Sequence, residues 1–359
     1  MSRSPLRPAA LVAGLAVLSL GMSACGSGQV DAPTSPDIPQ TAVVASTDAW
    51  GAVARAVGGN YVQVESIIDS PNVDPHGYEA TPQDAVTVGD AQLIVMNGGG
   101  YDAFMTGLIS SSGNQAPVVD AVEVSGLEGA DREGGAGHDH EGEAGHSHED
   151  EGEAGHSHED EEGHDHGGET AADGHSHEGH DHGAFNEHVW YSLPTVQAVA
   201  QQLADRLAEI DPSAAEYFRS NAQAVSGGVA QLTSKATDIG RNHPDARVVV
   251  TEPVPDHLLE TAGLENVTPQ EFSAAVEEGT DPPAAVVAQT LDLFRNQPPA
   301  DVLIVNSQTG SASTDQVRAA AEQAGVPIVE MSETLPEGVD DYVRWMNANL
   351  DALNAALAQ

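Results

Sequence analysis

The sequence predicts an α/β protein of two lobes, each a mostly parallel sheet flanked by helices, joined by a long rigid helix. Strand-like and helix-like patterns alternate from Ala42 to Asp120, and the same alternation returns from Arg247 to the end of the chain. Between them, Pro212 to Gly240 reads as one helix, interrupted only by Gly227-Gly228 and long enough to run the length of a lobe. A chain of 359 residues has room for about two such domains.

The elements follow in order. Arg3 and Arg7 precede an apolar stretch, Ala9 to Leu20, that is short for a membrane span and fits an export signal over residues 1–24. Met22-Ser23-Ala24-Cys25 resembles the lipobox of bacterial lipoproteins, with Met where Leu is usual. That resemblance implies lipidation of Cys25 and an otherwise soluble protein held at the outer face of the cytoplasmic membrane, at the cell surface or in the periplasm. Cys25 is the chain's single cysteine, which excludes a disulfide framework and a thiolate metal site. Residues 25–40, rich in Pro, Ser, Gly and Asp, form a tether.

The first lobe spans 41–210. It opens with a β-branched run, Ala42 to Ser46, a helix from Trp50 to Val57, a Gly-Gly-Asn turn at Gly58 to Asn60 and a strand from Tyr61 to Ile68. A helix over Thr81 to Gly89, a strand over Leu93 to Met96 ending in Asn97-Gly98-Gly99-Gly100, a short helix near Asp102 to Ser110 and a strand over Val118 to Asp120 continue it. After an insertion at 128–184, Pro194 opens an amphipathic helix to Ile210, with Val196, Val199, Leu203 and Leu207 on one stripe. The connecting helix takes 211–240. The second lobe, 241–359, carries strands at Arg247 to Val250, Val302 to Val305 and Pro327 to Glu330. Its helices are at Asp256 to Ala262, Pro282 to Phe294, Ser313 to Ala324 and Asp341 to Leu357.

The insertion is the clearest chemical signal. Twelve of the sixteen histidines lie between Gly137 and Gly183, and the decapeptide EGEAGHSHED occurs twice in tandem. They fall in His-x-His units: His138 with His140, His146 with His148, His156 with His158, His164 with His166, His175 with His177, and His180 with His182. Each unit offers two imidazoles on a pliant backbone to a borderline cation such as zinc. An acidic solubilising spacer would explain the carboxylates of this tract but not its histidines. The formal charge of −44, with only 12 Lys and Arg, argues against nucleic acid as a partner and favours a cationic ligand.

Four histidines stand outside the tract. His76, in Asp74-Pro75-His76-Gly77-Tyr78, follows a strand and precedes a helix, where ligand sites of α/β sheets form. His188, in Asn186-Glu187-His188-Val189-Trp190, precedes the Pro194 helix, with Trp190 as an apolar anchor. His243 and His257 carry no comparable context, and His243 reads as inert.

Asp74 to Asp84 (DPHGYEATPQD), the segment NEHVW before a helix, the long interlobe helix and a His-rich acidic insertion just ahead of NEHVW together resemble the solute-binding receptors of bacterial ABC importers for zinc and manganese. The resemblance covers Thr41 to the end. It implies one metal in the interlobe cleft, bound by His76 and His188 from the first lobe and by Glu252 and Glu333 from the second. Zinc members usually have a histidine at the position of Glu252, whereas manganese-type members have a glutamate, and His257, a helical turn beyond, is the alternative. At Glu333, after the Pro327 to Glu330 strand, the family more often has Asp. Asn306, Ser307 and Gln308 are expected to line the cleft as supporting donors, and Glu330 to point elsewhere by strand alternation.

Two imidazoles and two carboxylates tilt the choice toward manganese, while the tract and the Irving–Williams order tilt it to zinc. The expectation is therefore a high-affinity Zn(II) receptor, monomeric, serving a membrane permease with its cytoplasmic ATPase. A manganese receptor or an extracellular zinc buffer remains the alternative. No His-Glu-x-x-His arrangement is present and a closed four-ligand site leaves no position for water, so no enzyme is expected.

Overall fold

The structure, a computed structural model, describes residues 39–130 and 185–359. The export segment with Cys25 lies outside the described residues. So do the twelve histidines expected to collect metal, namely His138, His140, His146, His148, His156, His158, His164, His166, His175, His177, His180 and His182. Pro39 to Gln359 form one unit, within which sit two parallel four-stranded sheets.

The first sheet has strands β1 (Thr41–Thr47), β2 (Val62–Ile68), β3 (Leu93–Met96) and β4 (Val118–Asp120) in the order β2-β1-β3-β4. Its helices are α1 (Asp48–Gly58), α2 (Pro82–Gly89), α3 (Ala103–Ser112) and the short α4 (Ala121–Ser125). Helix α5 (Leu193–Ile210) leads through a 3-10 turn, Pro212–Ala214, into the connecting helix α6 (Ala215–Asn242). At 1.5 Å per residue its 28 residues extend about 42 Å.

The second sheet repeats the first: β5 (Arg247–Val250), β6 (Glu265–Asn266), β7 (Val302–Asn306) and β8 (Ile328–Met331) in the order β6-β5-β7-β8. Helices α7 (Asp256–Ala262), α8 (Gln270–Glu277), α9 (Ala284–Asp292), α10 (Ala312–Ala324) and α11 (Tyr342–Leu357) complete it. The strand β6 and the helices α4 and α8 are additions to the expected elements.

Strand alternation sorts the core. Val43, Ala45, Leu93 and Val95 of the first sheet and Val248, Val250, Val302 and Ile304 of the second face one continuous apolar cluster, shared with α1, α5, α6 and α11. The opposite faces bury Val44, Ile94 and Met96 under α2 and α3, and Val249, Leu303 and Val305 under α8, α9 and α10. The two lobes therefore share their largest core rather than meeting across a wet hinge. Helix α6 approaches α7 closely: a Cβ on Gly240 would lie 1.7 Å from the Ala262 carbonyl oxygen.

In each sheet the chain reverses its direction of growth between the first strand and its neighbour on the other side, β1/β3 and β5/β7. Ligand crevices of open α/β sheets form outside the carboxyl ends of the strands at such points. Among the described residues no helix is long and apolar enough to cross a membrane.

Candidate metal centre

The loop after β2 brings His76 into place through its own hydrogen bonds. The Asp74 carboxylate accepts from the His76 backbone N–H at 3.0 Å, and Tyr78 donates from its hydroxyl to Asp84 at 2.9 Å. Asp84 is also part of a capping box with Thr81 at the start of α2, so the loop is fastened to a helix end. After β3, Gly98, Gly99 and Gly100 all have positive φ (79°, 64° and 89°), a turn that favours glycine. It is locked by the buried Asp102, which accepts from the N–H groups of Asn97 and Gly98. The turn delivers Tyr101 to the cleft.

His188 is positioned from the other side. Trp190, in a 3-10 turn over Val189–Tyr191, is buried in the shared core, as expected of an anchor. Asn97 donates to the Glu187 carbonyl at 2.8 Å, tying the segment to the end of β3. Asn186 Oδ1 accepts from the His188 backbone N–H at 2.9 Å and lies 2.8 Å from His188 Nδ1. Since that oxygen is fixed as an acceptor by the backbone donor, Nδ1 carries the proton and Nε2 holds a free lone pair. His188 Nε2 is fully buried and has no hydrogen-bond partner, which is the state of a nitrogen set to bind a metal.

From the second lobe, Glu333 follows β8. Its Oε2 accepts from Tyr101 at 2.9 Å across the cleft and its Oε1 from Asn306 at 2.7 Å. Gln308 Oε1 accepts from the Glu333 backbone N–H, while Gln308 Nε2 donates to the Val73 carbonyl of the first lobe at 2.9 Å. Asn306 and Gln308 thus act as the supporting donors expected after β7, but Ser307 is exposed and has no part in the site.

The structure brings His76, His188 and Glu333 together, with one ligand atom of each within 4.8 Å of the others. His76 Nε2 and Glu333 Oε2 are 3.7 Å apart. Donors about 2.0 to 2.1 Å from a tetrahedral ion stand about 3.3 Å from each other, so a modest contraction would place a cation between them. Glu252, though buried, is outside this set: its oxygens accept from Asn306 at 2.7 Å and from the Thr309 hydroxyl, so it adjoins Glu333 through a shared amide. His257 is committed elsewhere, its Nε2 lying 2.9 Å from the Asn186 carbonyl oxygen. Glu330 points away, to Arg318 at 2.9 Å.

A carboxylate unforeseen in the sequence completes the surroundings. Glu277, the last residue of α8, places Oε1 3.4 Å from His188 Nε2. Together with Glu187 it also forms a second group of closely approaching ligand atoms around His76. A cleft of about 270 Å³, lined in part by Phe185, Glu187, Pro253, Gln270 and Glu277, lies beside it.

Burial and mutual repulsion leave these acids reluctant to ionise. Burial pushes the Glu333 carboxyl up to about 7 against the hydrogen bonds from Tyr101 and Asn306, and burial raises Glu252. Glu277 is pushed up to about 9 by burial and then by Glu187, Glu252 and Glu333. Burial, then His76 and His257, holds His188 well below the ordinary histidine range, so its imidazole is neutral at pH 7. A divalent cation would relieve both penalties at once, pairing with the carboxylates and with the bare imidazole nitrogen.

The sequence profile described as ZnuA, zinc-uptake complex component A, periplasmic, matches residues 43–356. The manganese-binding lipoprotein MntA of Halalkalibacterium halodurans is 22% identical over 351 residues, covering 96% of this chain and 97% of that protein. The metal ABC transporter substrate-binding lipoprotein FimA of Streptococcus parasanguinis is 23% identical over 361 residues, covering 98% and 96%. In fold, the chain is similar to the crystal structure of ZnuA (TM-score 0.63, 18% identity, 89% of this chain and 99% of that one). It is likewise similar to the periplasmic zinc-binding protein TroA of Treponema pallidum (TM-score 0.64, 17% identity, 89% and 100%).

Proposed function

Because the chain belongs to the family of periplasmic zinc-uptake complex component A, a family of metal receptors for ABC importers and not of enzymes, we propose that it captures Zn(II) outside the cytoplasmic membrane and hands it to an importer. The observation that carries this reading is the convergence of His76 and His188 from one lobe and Glu333 from the other on one point in the cleft. An ion there ties the lobes together, and a permease with its cytoplasmic ATPase reads the loaded state. The metal favours that state only by the extra affinity it has for it. Relatives named as lipoproteins support Cys25 as the site of the lipid anchor and a location on the outer face of the membrane.

The twelve tract histidines support zinc over manganese, since imidazole density favours the later metal. In this reading the tract is an accessory collector of loose stoichiometry, its six units from His138 with His140 to His180 with His182 each holding an ion weakly, and the selective site is in the cleft. The second reading, a manganese receptor, draws on the carboxylates Glu252, Glu277 and Glu333 around the cleft and on the manganese named in MntA. Competition titrations of zinc and manganese against a chelator, with and without residues 137–183, decide between them. A tightest site that survives the deletion and prefers zinc is expected. A preference for manganese reverses the metal, and loss of the tightest site with the tract makes the protein a buffer.

A further inference from the structure

We propose that Tyr101 is a positioning residue that sets metal specificity: its hydroxyl holds Glu333 to one-oxygen binding beside His76, which favours the four-coordinate shell of zinc over the larger oxygen shell of manganese. This rests on the receptor reading above and names, within it, a residue that selects the metal without touching it.

Tyr101 reaches all three members of the group formed by His76, His188 and Glu333. Its hydroxyl donates to Glu333 Oε2 at 2.9 Å, and that same oxygen stands 3.7 Å from His76 Nε2. Its ring meets the His76 ring in a T-shape, 4.9 Å between centroids and 86° between planes, and the His188 ring in a second T-shape at 5.9 Å. Trp190, buried in the shared core, backs it at 4.5 Å. Tyr101 and Glu333 are both buried, so little water competes for their hydrogen bond. The glycine turn before Tyr101 and the buried Asp102 after it fix the backbone from which the phenol projects.

An ionised carboxylate has about four lone-pair positions, two on each oxygen. In Glu333 one position on Oε2 is taken by Tyr101 and one on Oε1 by Asn306, at 2.7 Å. Asn306 is not free to follow a rotating Glu333, because its amide also donates to Glu252 Oε2 at 2.7 Å. To present both oxygens to one ion, the Glu333 carboxyl would have to turn away from two fixed donors, one in each lobe, and lose a charge-assisted hydrogen bond. Held as it is, Glu333 offers Oε2 to an ion shared with His76. Zinc is satisfied by four ligands, whereas manganese takes six, mostly oxygen, and has more need of the second carboxylate oxygen. The phenol keeps its proton at neutral pH, so it serves as a donor to the ligand and stays out of the ion's shell.

Tyr101→Phe removes the hydroxyl and keeps the ring that packs against His76 and Trp190. A residue that only packs would be replaced in full by phenylalanine. The test uses the full chain and compares wild type with Tyr101→Phe in chelator competition for Zn(II) and for Mn(II), and in the visible absorption of the Co(II) form. Zinc affinity is expected to fall by ~10- to 100-fold, the range for groups that act through a ligand, and manganese affinity by less than about threefold, so the preference for zinc drops at least ~3-fold. The Co(II) bands should weaken as the coordination number rises above four.

The proposal is overturned if the variant keeps the wild-type preference, whether neither affinity changes or both fall together. Thermal unfolding checks that the variant folds. If it does not, the wild-type Co(II) form decides: strong bands of four-coordination uphold one-oxygen binding, and weak bands of six-coordination overturn it. Two controls separate the levels. Unchanged zinc binding in His188→Ala refutes the cleft site itself, and a wild-type preference for manganese refutes the zinc reading. With His188 required and zinc preferred, an inert hydroxyl refutes the role of Tyr101 alone.

Discussion

Replacing Asn186 with alanine should cripple metal binding without touching a ligand. Asn186 Oδ1 is the acceptor that keeps the His188 proton on Nδ1, at 2.8 Å, and so leaves Nε2 bare. Without it, the imidazole either keeps a buried, unsatisfied Nδ1–H or moves its proton to Nε2 and must give it up again on binding. Either route costs about 2 kcal/mol, within the 1–3 kcal/mol for a buried donor without a partner. At 1.4 kcal/mol per decade that is a loss of roughly 30-fold in affinity. Asn186→Asp keeps the acceptor but loses the donor to the Pro253 carbonyl, so its affinity should stay within about tenfold of wild type. The assay is zinc competition against a chelator, with thermal unfolding to confirm that both variants fold. A folded Asn186→Ala protein within threefold of wild type would refute the view that this hydrogen bond sets the tautomer.

Other outcomes follow from the same structure. His257→Ala removes a partner of the Asn186 carbonyl and should lower zinc affinity only several-fold, whereas a true ligand would cost far more; the same titration reads the difference. Glu333 and Glu277, raised to about 7 and about 9, bind protons in the folded metal-free protein that the unfolded chain has released. Stability contributed by protonated carboxyls is lost as pH rises through the folded values. The metal-free melting temperature should therefore climb as pH falls from 9 to 6.5, by about 1.4 kcal/mol per pH unit for each extra proton held. Below 6.5 the buried neutral His188 and His257 begin to oppose the trend, because the unfolded chain protonates them first. Saturating zinc should abolish the climb, since bound carboxylates stay ionised; an unchanged slope in calorimetry would count against the site. Gly240→Ala should destabilise the protein by about 1–3 kcal/mol or prevent folding, because the added carbon meets a backbone carbonyl that cannot step aside; unfolding by denaturant measures it.

Most of the fold is legible in the sequence because long periodic segments leave little choice. Helix α6 shows through its glycine pair, and the apolar runs of β3, β4 and β5 have the bounds the pattern predicts. His76, His188 and Glu333 are legible through the resemblance, and they converge. What escapes is α8 and with it Glu277. The helix has eight residues, starts after a proline and shows only Phe272, Ser273 and Val276 to the core, too few positions for a helical period to stand out from a loop. Glu277 next to Glu278 and Gly279 reads as solvated turn chemistry, and only the approach of α8 to the Asn186 to His188 segment makes it otherwise. Glu252 is the less legible case: it occupies the expected place in sequence, is buried and shares the Asn306 amide with Glu333, but lies outside the group that Glu333 forms with His76 and His188.

The apolar cluster shared by the two sheets has a kinetic consequence. To swing the lobes apart would expose Val43, Leu93, Val248 and Ile304 together with the faces of α5 and α6 that cover them, at about 25 cal/mol for each Å² bared. Thermal motion will rarely supply that much. Residence time of the bound ion is then governed by the small loops that carry Tyr101, Gln308 and Glu333, whose cross-cleft hydrogen bonds to Glu333 and to the Val73 carbonyl cost about 1 kcal/mol apiece to break. A transporter that pries at those two contacts, rather than at the lobes, has the least work to do.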